Sequence, residues 1–389
     1  MYFSNMNKLF PLLIVLSTIF SCTDPKVHSS ESTSPPTKNQ KVVIAYVAGW
    51  NEIQAENIAA EKLTHINYAF CNVYDGLAQE GKNDSTRYEY SKRDSINYLE
   101  LHKLKSRNKD LKIIGSIGGW TWSGGFHDAV LTPESRKRFT KSVVDYMLKY
   151  NLDGVDFDWE YPSLEGNHNA FGPEDKPNFV AMLKGVREAL DSIESQTNIH
   201  YITSIASGGF DEYVDANDMG KAAKYLDYVN IMTYDFHGGW DSTTAHHTNL
   251  FDSDSSGRSA DKAIRKHVEA GIPINKLVMG IAFYGRNWKG VTNENHGLYQ
   301  QASGGGKGHS FKSLDTLIGK HGYNRYWDST AQAPYLWNAD SSIFVSYEDE
   351  QSIKAKCDYV NKNEMLGVMF WEYSEDVNGK LLDAIGESL

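Results

Sequence analysis

Four carboxylic acids lie close together in the segment LDGVDFDWEYP, residues 152–162, among residue types that are usually buried. They are Asp153, Asp156, Asp158 and Glu160. An ionised carboxylate that leaves water without a partner is strongly destabilising, so each of these groups must be paired or protonated. The segment therefore indicates chemistry rather than packing alone.

The spacing of the acids on a strand sorts them by face. Side chains alternate along a strand, so Asp156, Asp158 and Glu160 share one face, and the aromatic residues between them share the other. At a rise of about 3.3 Å per residue, the two aspartates lie roughly 6.6 Å apart, with Glu160 one step nearer the strand end. Acids this close resist ionising together, which raises the pKa of at least one of them. A carboxylic acid that stays protonated near neutral pH is suited to general acid catalysis.

Three other interpretations of the acids compete with catalysis. Solvated surface charges are disfavoured by the apolar neighbours. A Ca²⁺ or Mg²⁺ site is disfavoured because a straight strand presents its carboxylates in a row rather than around a point, and we expect no metal or other cofactor. A structural ion-pair network is the expected role of Asp153 and is also open for Asp156.

The elements that must position this strand are predicted from the alternation of apolar runs and helix-like segments after residue 40. Helix-like segments such as 135–151 and 261–272 separate eight strand-like runs. This order predicts an α/β fold, a closed (β/α)8 TIM barrel of parallel strands. The predicted strands are 42–50, 63–70, 111–120, 152–161, 200–209, 226–235, 277–286 and 365–373.

The strand ends carry polar, glycine and aromatic residues, which in a barrel face one cleft. Only the connection after the seventh strand is predicted to be long. It is rich in turn-forming and aromatic residues and leads to a helix at 352–361, which we expect to be the last helix. We therefore predict a small α+β insertion, about 288–342, between strand 7 and strand 8, and expect it to wall the cleft.

Four motifs together resemble the family 18 glycoside hydrolases, the chitinases. The acids spell D-x-x-D-x-D-x-E on the fourth strand, and SIGGW at 116–120, MTYD at 232–235 and FYGR at 283–286 resemble the third-, sixth- and seventh-strand motifs. The resemblance extends over residues 41–389, the expected catalytic domain. It implies cleavage of β-1,4 links between N-acetylglucosamine units of chitin or chito-oligosaccharides, with retention of the anomeric configuration.

The resemblance also implies a role for each motif residue. Glu160 would protonate the glycosidic oxygen while the substrate's own N-acetyl oxygen attacks C1, and would then activate water. Asp158 would orient the acetamido group, Asp156 would share a proton with Asp158, and Tyr234 would donate to the acetamido oxygen. The other implied site residues are Tyr46 and Ser116 near the barrel floor and, around the sugars, Gly119, Trp120, Met232, Asp235, Trp240, Tyr284, Arg286 and Trp371.

Alternatives stay open within this resemblance. Family members that cut the chitobiose core of N-glycans share the acidic motif, but they usually lack the insertion and the full aromatic set. Sugar-binding relatives without catalysis usually replace the acid glutamate, which is present here as Glu160. For Trp120 and Trp240, a packed cap over the barrel is the alternative to stacking on sugar rings.

The first forty residues predict export. Residues 1–21 are typical of a signal peptide, with an apolar core too short to span a membrane comfortably. Cys22 follows Ser21 as in the bacterial lipobox, so we expect a lipidated cysteine, with ordinary secretory cleavage as the alternative. Residues 22–40 should form a flexible linker. The chain is then either secreted or held in the cell envelope, where only the lipid anchor contacts the membrane.

Charge and cysteine content exclude other classes of protein. The net charge is −11 at pH 7 and no Lys/Arg-rich run is present, which argues against a nucleic-acid partner. Cys71 and Cys357 lack the spacing of a metal site and should be buried free thiols. We expect a monomer whose partner is its carbohydrate substrate.

Overall fold

The computed structural model describes residues 41–254 and 256–389. The predicted signal peptide at 1–21, the linker at 22–40 and the lipidation site Cys22 lie outside the described residues. The strands are β1 (Val42–Ala48), β2 (His65–Tyr74), β3 (Leu77–Gln79), β4 (Lys112–Gly118), β5 (Gly154–Asp158), β6 (Ile202–Gly208), β7 (Tyr228–Met232), β8 (Leu277–Ala282), β9 (Tyr284–Lys289), β10 (Gly304–Gly305), β11 (His309–Ser310), β12 (Tyr323–Asp328), β13 (Ala333–Asn338), β14 (Ile343–Ser346) and β15 (Gly367–Trp371). The helices are α1 (Asp84–Lys103), α2 (Phe126–Val130), α3 (Pro133–Lys149), α4 (Asp175–Thr197), α5 (Asp211–Ala216), α6 (Met219–Ala222), α7 (Ala260–Glu269), α8 (Phe311–Asp315), α9 (Glu350–Lys362) and α10 (Lys380–Ser388).

Eight parallel strands close into a barrel in the order β1, β2, β4, β5, β6, β7, β8 and β15. The ring closes because β1 pairs in parallel with both β2 and β15. The short strand β3 is an antiparallel addition to the end of β2. Seven of the eight predicted strand-like runs contain a barrel strand, and the run 63–70 overlaps β2, which continues to Tyr74. The predicted (β/α)8 barrel is therefore confirmed.

The barrel has an inner and an outer apolar layer, and β5 shows how the sequence divides between them. Val155 and Phe157 pack in the outer layer, between the strands and the surrounding helices. Asp156 hydrogen-bonds to side chains from several other strands, which is geometrically feasible only inside the ring. The period of two in the sequence therefore directs apolar groups outward and carboxyl groups inward. The inner apolar layer consists of Ile44, Tyr46, Ala69, Ile114, Ile202, Tyr228, Val278 and Met369.

A second sheet of six antiparallel strands lies in the chain between β8 and β15. Its strands run from Tyr284 to Ser346, slightly beyond the predicted limits of 288–342 at both ends. Strand β14 pairs with β13 on one side and on the other with β9, which directly follows barrel strand β8. The sheet has a small core of its own, formed by Trp288, Val291, Leu298, Tyr335, Trp337 and Phe344.

Two sequence-based expectations about connections are wrong. The sixth connection, 233–259, is also long, and α10 follows the helix that was expected to be the last. The sixth connection is held by long-range backbone hydrogen bonds rather than by a helix. The Phe236 N–H donates to the His247 carbonyl at 3.0 Å, and the Thr244 N–H donates to the Gln300 carbonyl at 2.9 Å. Because these bonds join segments that are distant in sequence, no local sequence pattern predicts the loop.

Cys71 and Cys357 are buried and free, as predicted. Burial raises the pKa of both thiols, which makes them unreactive at neutral pH. Across residues 41–254 and 256–389, no helix has both the length and the apolar character that a bilayer crossing requires.

Candidate active site

Asp156 is the most heavily hydrogen-bonded group of the barrel interior. Tyr46 Oη and Ser116 Oγ each donate to Asp156 Oδ2 at 2.8 Å. Ser204 Oγ donates to Oδ1 at 2.7 Å, and Asn230 Nδ2 contacts the same oxygen at 3.4 Å. Burial raises the pKa of Asp156, and these four donors oppose that rise. The carboxyl group is therefore fixed by strands β1, β4, β6 and β7 together.

Asp158 lies one pleat further along β5 in a very different environment. Its side chain is buried, and its Oδ1 atom has no hydrogen-bond partner within the described residues. Burial, together with the charges of Glu160 and Asp156, raises the pKa of Asp158 well above its ordinary value. These effects favour the protonated form of Asp158, and its Oδ1 atom is available to a ligand.

Glu160 lies just beyond the end of β5, which stops at Asp158 rather than at the predicted residue 161. Its backbone N–H donates to Ser123 Oγ at 2.9 Å. The same hydroxyl contacts the carbonyl oxygens of Gly119 at 2.9 Å and Asp158 at 3.0 Å. Ser123 thus fixes the backbone that carries Glu160 to the turn that follows β4.

The pKa of Glu160 is raised from 4.5 to about 7. Burial is the largest cause, and the negative charge of Asp235 adds to it, while a hydrogen bond from Tyr161 acts in the opposite direction. At neutral pH the group is thus divided between its acid and its base form. A carboxyl group poised in this way can both give and take a proton during one reaction cycle.

Trp371, at the end of β15, lies over the barrel mouth among aromatic rings. It stacks on Phe70 with ring centroids 5.5 Å apart, and contacts Tyr46 at 5.8 Å and Trp50 at 6.1 Å. Gly119 makes this arrangement feasible, since a Cβ atom there would lie 2.6 Å from the Phe70 ring. Its φ of +83° is also a conformation that favours glycine. The result is a flat aromatic floor.

Tyr234 and Met232 lie at the end of β7, beside that floor, and both are partly buried. The Tyr234 ring packs edge-on against Tyr284 at 6.1 Å, and its hydroxyl contacts Met369 Sδ at 3.8 Å. Burial raises the pKa of Tyr234, so the phenol keeps its proton. Because a thioether is a weak acceptor, this hydroxyl is available to a ligand.

Asp235 and Arg286 form a two-point ion pair at one side of the mouth. Arg286 Nε donates to Asp235 Oδ1 at 2.7 Å, and Arg286 Nη2 donates to Oδ2 at 2.6 Å. The guanidinium also lies over the rings of Tyr284, at 5.0 Å, and Trp240, at 5.3 Å. Against the effect of burial, the hydrogen bonds from Arg286 and the nearby His247 ring hold the pKa of Asp235 well below its ordinary value. Asp235 is therefore fully ionised.

Three indoles at the barrel mouth stay largely open to solvent. Trp50 is 52%, Trp120 50% and Trp240 62% exposed. A packed cap over the barrel would bury such rings, so the exposure favours the sugar-stacking interpretation of Trp120 and Trp240. Trp120 also contacts Tyr161 edge-on at 6.4 Å, which places it on the Glu160 side of the mouth.

Asp153 is the one motif acid that lies apart from this site. It precedes β5, and its Oδ2 accepts from Lys105 Nζ at 2.7 Å and from the Ile113 N–H at 2.7 Å. These contacts tie the start of β5 to the start of β4 and to Lys105. In the part of the chain that the structure describes, no group of three or more His, Cys, Asp or Glu side chains is arranged to hold a metal ion.

Four residues that hold the site together were not predicted from the sequence. Ser204 and Asn230 bond to Asp156, Ser123 holds the Glu160 backbone, and His247 lies behind Asp235. Alternation along the predicted strands 200–209 and 226–235 would have placed Ser204 and Asn230 inside the barrel. No local pattern marks Ser123 or His247, because their partners are 37 and 12 residues away in the chain.

The closed (β/α)8 barrel carries carboxyl groups at the end of its fourth strand, and one of them has a pKa near neutral pH and lies under a ring of exposed indoles. These features together define a glycoside hydrolase. The model of the family described as glycosyl hydrolases family 18 matches residues 42–376. The chain therefore belongs to glycoside hydrolase family 18, and the resemblance drawn from its motifs is confirmed.

Individual relatives agree with this membership. The chain is 34% identical to Chitinase A1 of Niallia circulans over 96% of its own length, but it spans only 62% of that relative. It is 31% identical to Chitinase B of Serratia marcescens, over 84% of this chain and 76% of that protein. The solved structure of a family 18 N-acetylglucosaminidase from Paenibacillus barengoltzii superposes with a TM-score of 0.82 at 42% identity, over 90% of this chain and 100% of that one.

Ser123 offers a direct test of this geometry. We expect Ser123→Ala to fold but to lower kcat roughly tenfold, because the unpaired Glu160 N–H lets the carboxyl group leave its position. KM should change little, since the sugar contacts stay intact. Ser142→Ala is the matched control, because Ser142 Oγ likewise accepts a backbone N–H, from Ala78 at 2.8 Å, and donates to a carbonyl, of Phe139 at 2.7 Å, but far from the site. Equal kcat values for the two variants would contradict the proposed positioning of Glu160.

Proposed function

We propose that the protein is a chitinase that hydrolyses β-1,4 linkages between N-acetylglucosamine units by a retaining, substrate-assisted mechanism. The observation that carries the proposal is that no carboxyl group described at the site, other than Glu160, is free to react. Asp156 is bound by four donors, burial and neighbouring charges favour the protonated form of Asp158, and Asp235 is paired with Arg286. A retaining glycosidase that lacks a carboxylate nucleophile must take its nucleophile from the substrate.

Glu160 is the proposed proton donor. Its protonated form gives a proton to the glycosidic oxygen while the carbonyl oxygen of the neighbouring N-acetyl group attacks C1 and forms an oxazolinium ion. The C1–O bond breaks, and the reducing-end fragment leaves as an alcohol. Glu160, now ionised, then takes a proton from a water molecule that attacks C1 on the face left by the alcohol, so the configuration is retained.

Asp158 and Tyr234 are proposed to hold the acetamido group during this attack. The Oδ1 atom of Asp158 has no hydrogen-bond partner within the described residues, and the ionised form of this carboxyl would accept from the acetamido N–H and balance the oxazolinium charge. As Asp158 ionises, the tightly held Asp156 beneath it is the group with which it would share its proton. The protonated Tyr234 phenol would donate to the acetamido oxygen.

The proposed sugar sites follow the aromatic groups of the mouth. Trp371 would lie beneath the sugar that is cleaved, while Trp120 and Trp240 would stack on neighbouring sugars. Met232, Tyr284 and the Asp235–Arg286 pair would shape the site at the cleaved sugar. In this proposal residues 41–389 form the catalytic domain, and the second sheet walls one side of the cleft.

A second candidate reaction is release of single N-acetylglucosamine units. It is favoured by the 42% identity to a structure named as an N-acetylglucosaminidase. Cleavage of the chitobiose core of N-glycans is a third candidate, ranked below these two. All three reactions use the same acid and the same substrate oxygen, so they differ only in which sugars flank the cleaved bond.

Export is proposed on the sequence alone. The signal peptide at 1–21 and the lipobox-like Ser21–Cys22 pair support an envelope lipoprotein, or a secreted protein if Cys22 is not lipidated. Either location would give the site access to chitin or chito-oligosaccharides outside the cell.

Replacing the acid tests the proposal at its centre. We expect Glu160→Gln to lower kcat on chito-oligosaccharides by about a hundredfold or more while oligosaccharide binding stays near that of wild type. The exposed Glu165→Gln is the matched control and should behave as wild type. Stopped assays with chitohexaose and calorimetric binding measure the two quantities. Near-normal turnover by Glu160→Gln would assign the acid elsewhere.

Glu160→Gln should also change the pH dependence of stability in a definite direction. A folded-state pKa of about 7 against the ordinary 4.5 means that folding favours the protonated acid, so stability falls as pH rises from 4.5 through 7. Glutamine has no such dependence. The thermal midpoint of Glu160→Gln should therefore exceed that of wild type at about pH 8 and match it at about pH 4.

Product analysis tests the substrate assignment. With defined chito-oligosaccharides and a chitobiose-core glycoprotein as parallel substrates, we expect cleavage of the former, with the β-anomer appearing first at the new reducing end. Oligomers whose N-acetyl groups have been removed should be inert, because they lack the attacking oxygen. Monomer as the only product would favour the N-acetylglucosaminidase candidate. Early appearance of the α-anomer would exclude the mechanism.

A further inference from the structure

His247 is a fully buried histidine of the sixth connection, and its backbone is fixed on both sides. Its N–H donates to Ser346 Oγ at 2.9 Å, and its carbonyl accepts from the Phe236 N–H at 3.0 Å. The imidazole packs on the Tyr284 ring, with ring centroids 5.3 Å apart. The backbone is therefore fixed, and the buried ring packs behind the mouth of the barrel.

That position brings the ring to the back of the Asp235 carboxylate. His247 Nδ1 lies 3.6 Å from Asp235 Oδ1, the same oxygen that accepts from Arg286 Nε at 2.7 Å. This separation is longer than a hydrogen bond, so the contact is electrostatic, and the negative charge of Asp235 favours the tautomer that carries its proton on Nδ1. Asp235 itself has a φ of +57°, a strained value for a residue with a side chain. Its carboxylate is thus held between a guanidinium on one side and an imidazole on the other.

The charged groups facing His247 are few. Asp235 and Arg286 face it from the barrel mouth, and Glu348 faces it from the chain that follows β14. Glu348 is in turn paired with the buried Lys356 on α9, and both bond to Thr248, the next residue in the chain. Burial, the largest effect, lowers the pKa of His247 and so favours the neutral ring.

We propose that His247 is a positioning residue for catalysis, which holds the Asp235 carboxylate in place beside Arg286 and so keeps a full negative charge near Glu160. This inference rests on the proposed function, since it gives His247 a part in the same reaction. The charge of Asp235 contributes to the raised pKa of Glu160, so His247 acts on the acid through Asp235. A merely structural histidine would affect stability without moving the pH profile.

The test compares two replacements of His247 by their pH profiles. His247→Phe keeps the ring and loses the donor, whereas His247→Gln keeps a donor. With a fluorogenic chitobioside, we expect kcat/KM of the Phe variant to fall roughly tenfold and its alkaline limb to move to lower pH, and the Gln variant to recover most of both. His246→Gln is the matched control, because His246 is also buried but bonds to Asp328 at 3.2 Å. Its pH profile should equal that of wild type.

Unchanged alkaline limbs in both folded His247 variants, or a His246→Gln profile shifted as far as theirs, would overturn the inference. An inactive wild type would instead refute the proposed function, and the His247 contact is then tested by NMR without any substrate. The carboxylate of Asp235 raises the pKa of the ring, so Asp235→Asn should move the titration midpoint of His247 to lower pH. An unmoved midpoint would overturn the inference on its own.

Discussion

The structure depends on a buried carboxyl group that one strand cannot satisfy. Asp156 takes its four hydrogen bonds from Tyr46, Ser116, Ser204 and Asn230, which lie on four other strands of the ring. Only a closed barrel brings those strands around β5, so the polar centre and the closure of the ring require each other. With Asp156 fixed, the positions of Asp158 and then of the strand end are also determined.

From this fixed base, the environments of the carboxyl groups diverge toward the mouth. Asp156 is saturated with donors, Asp158 is buried with a partner-free oxygen, Glu160 titrates near pH 7, and Asp235 is held ionised by Arg286. These four carboxyl groups therefore differ in their pKa although they lie close together. The substrate-assisted proposal follows from this division, because it leaves a single proton donor and no nucleophile.

Much of this could be predicted from the sequence, for identifiable reasons. The alternation of side chains in runs such as 152–161 predicted the strands. The motif residues at the strand ends lie together because parallel strands end at one face of the barrel. What could not be predicted depends on contacts between distant segments. Ser123 beneath Glu160, His247 behind Asp235 and the long connection at 233–259 are defined by partners far along the chain, and a serine or histidine has no local signature for such a role.

The most direct test of the account is a pH titration of the individual carboxyl groups by carbon-13 NMR in the free protein, with Glu160→Gln used for assignment. The account predicts that the Glu160 carboxyl titrates near pH 7 and that the pKa of Asp158 lies well above its ordinary value. Titration of both groups near their ordinary values of 4.5 and 3.8 would contradict it, because neither residue would then hold a proton when the reaction needs one.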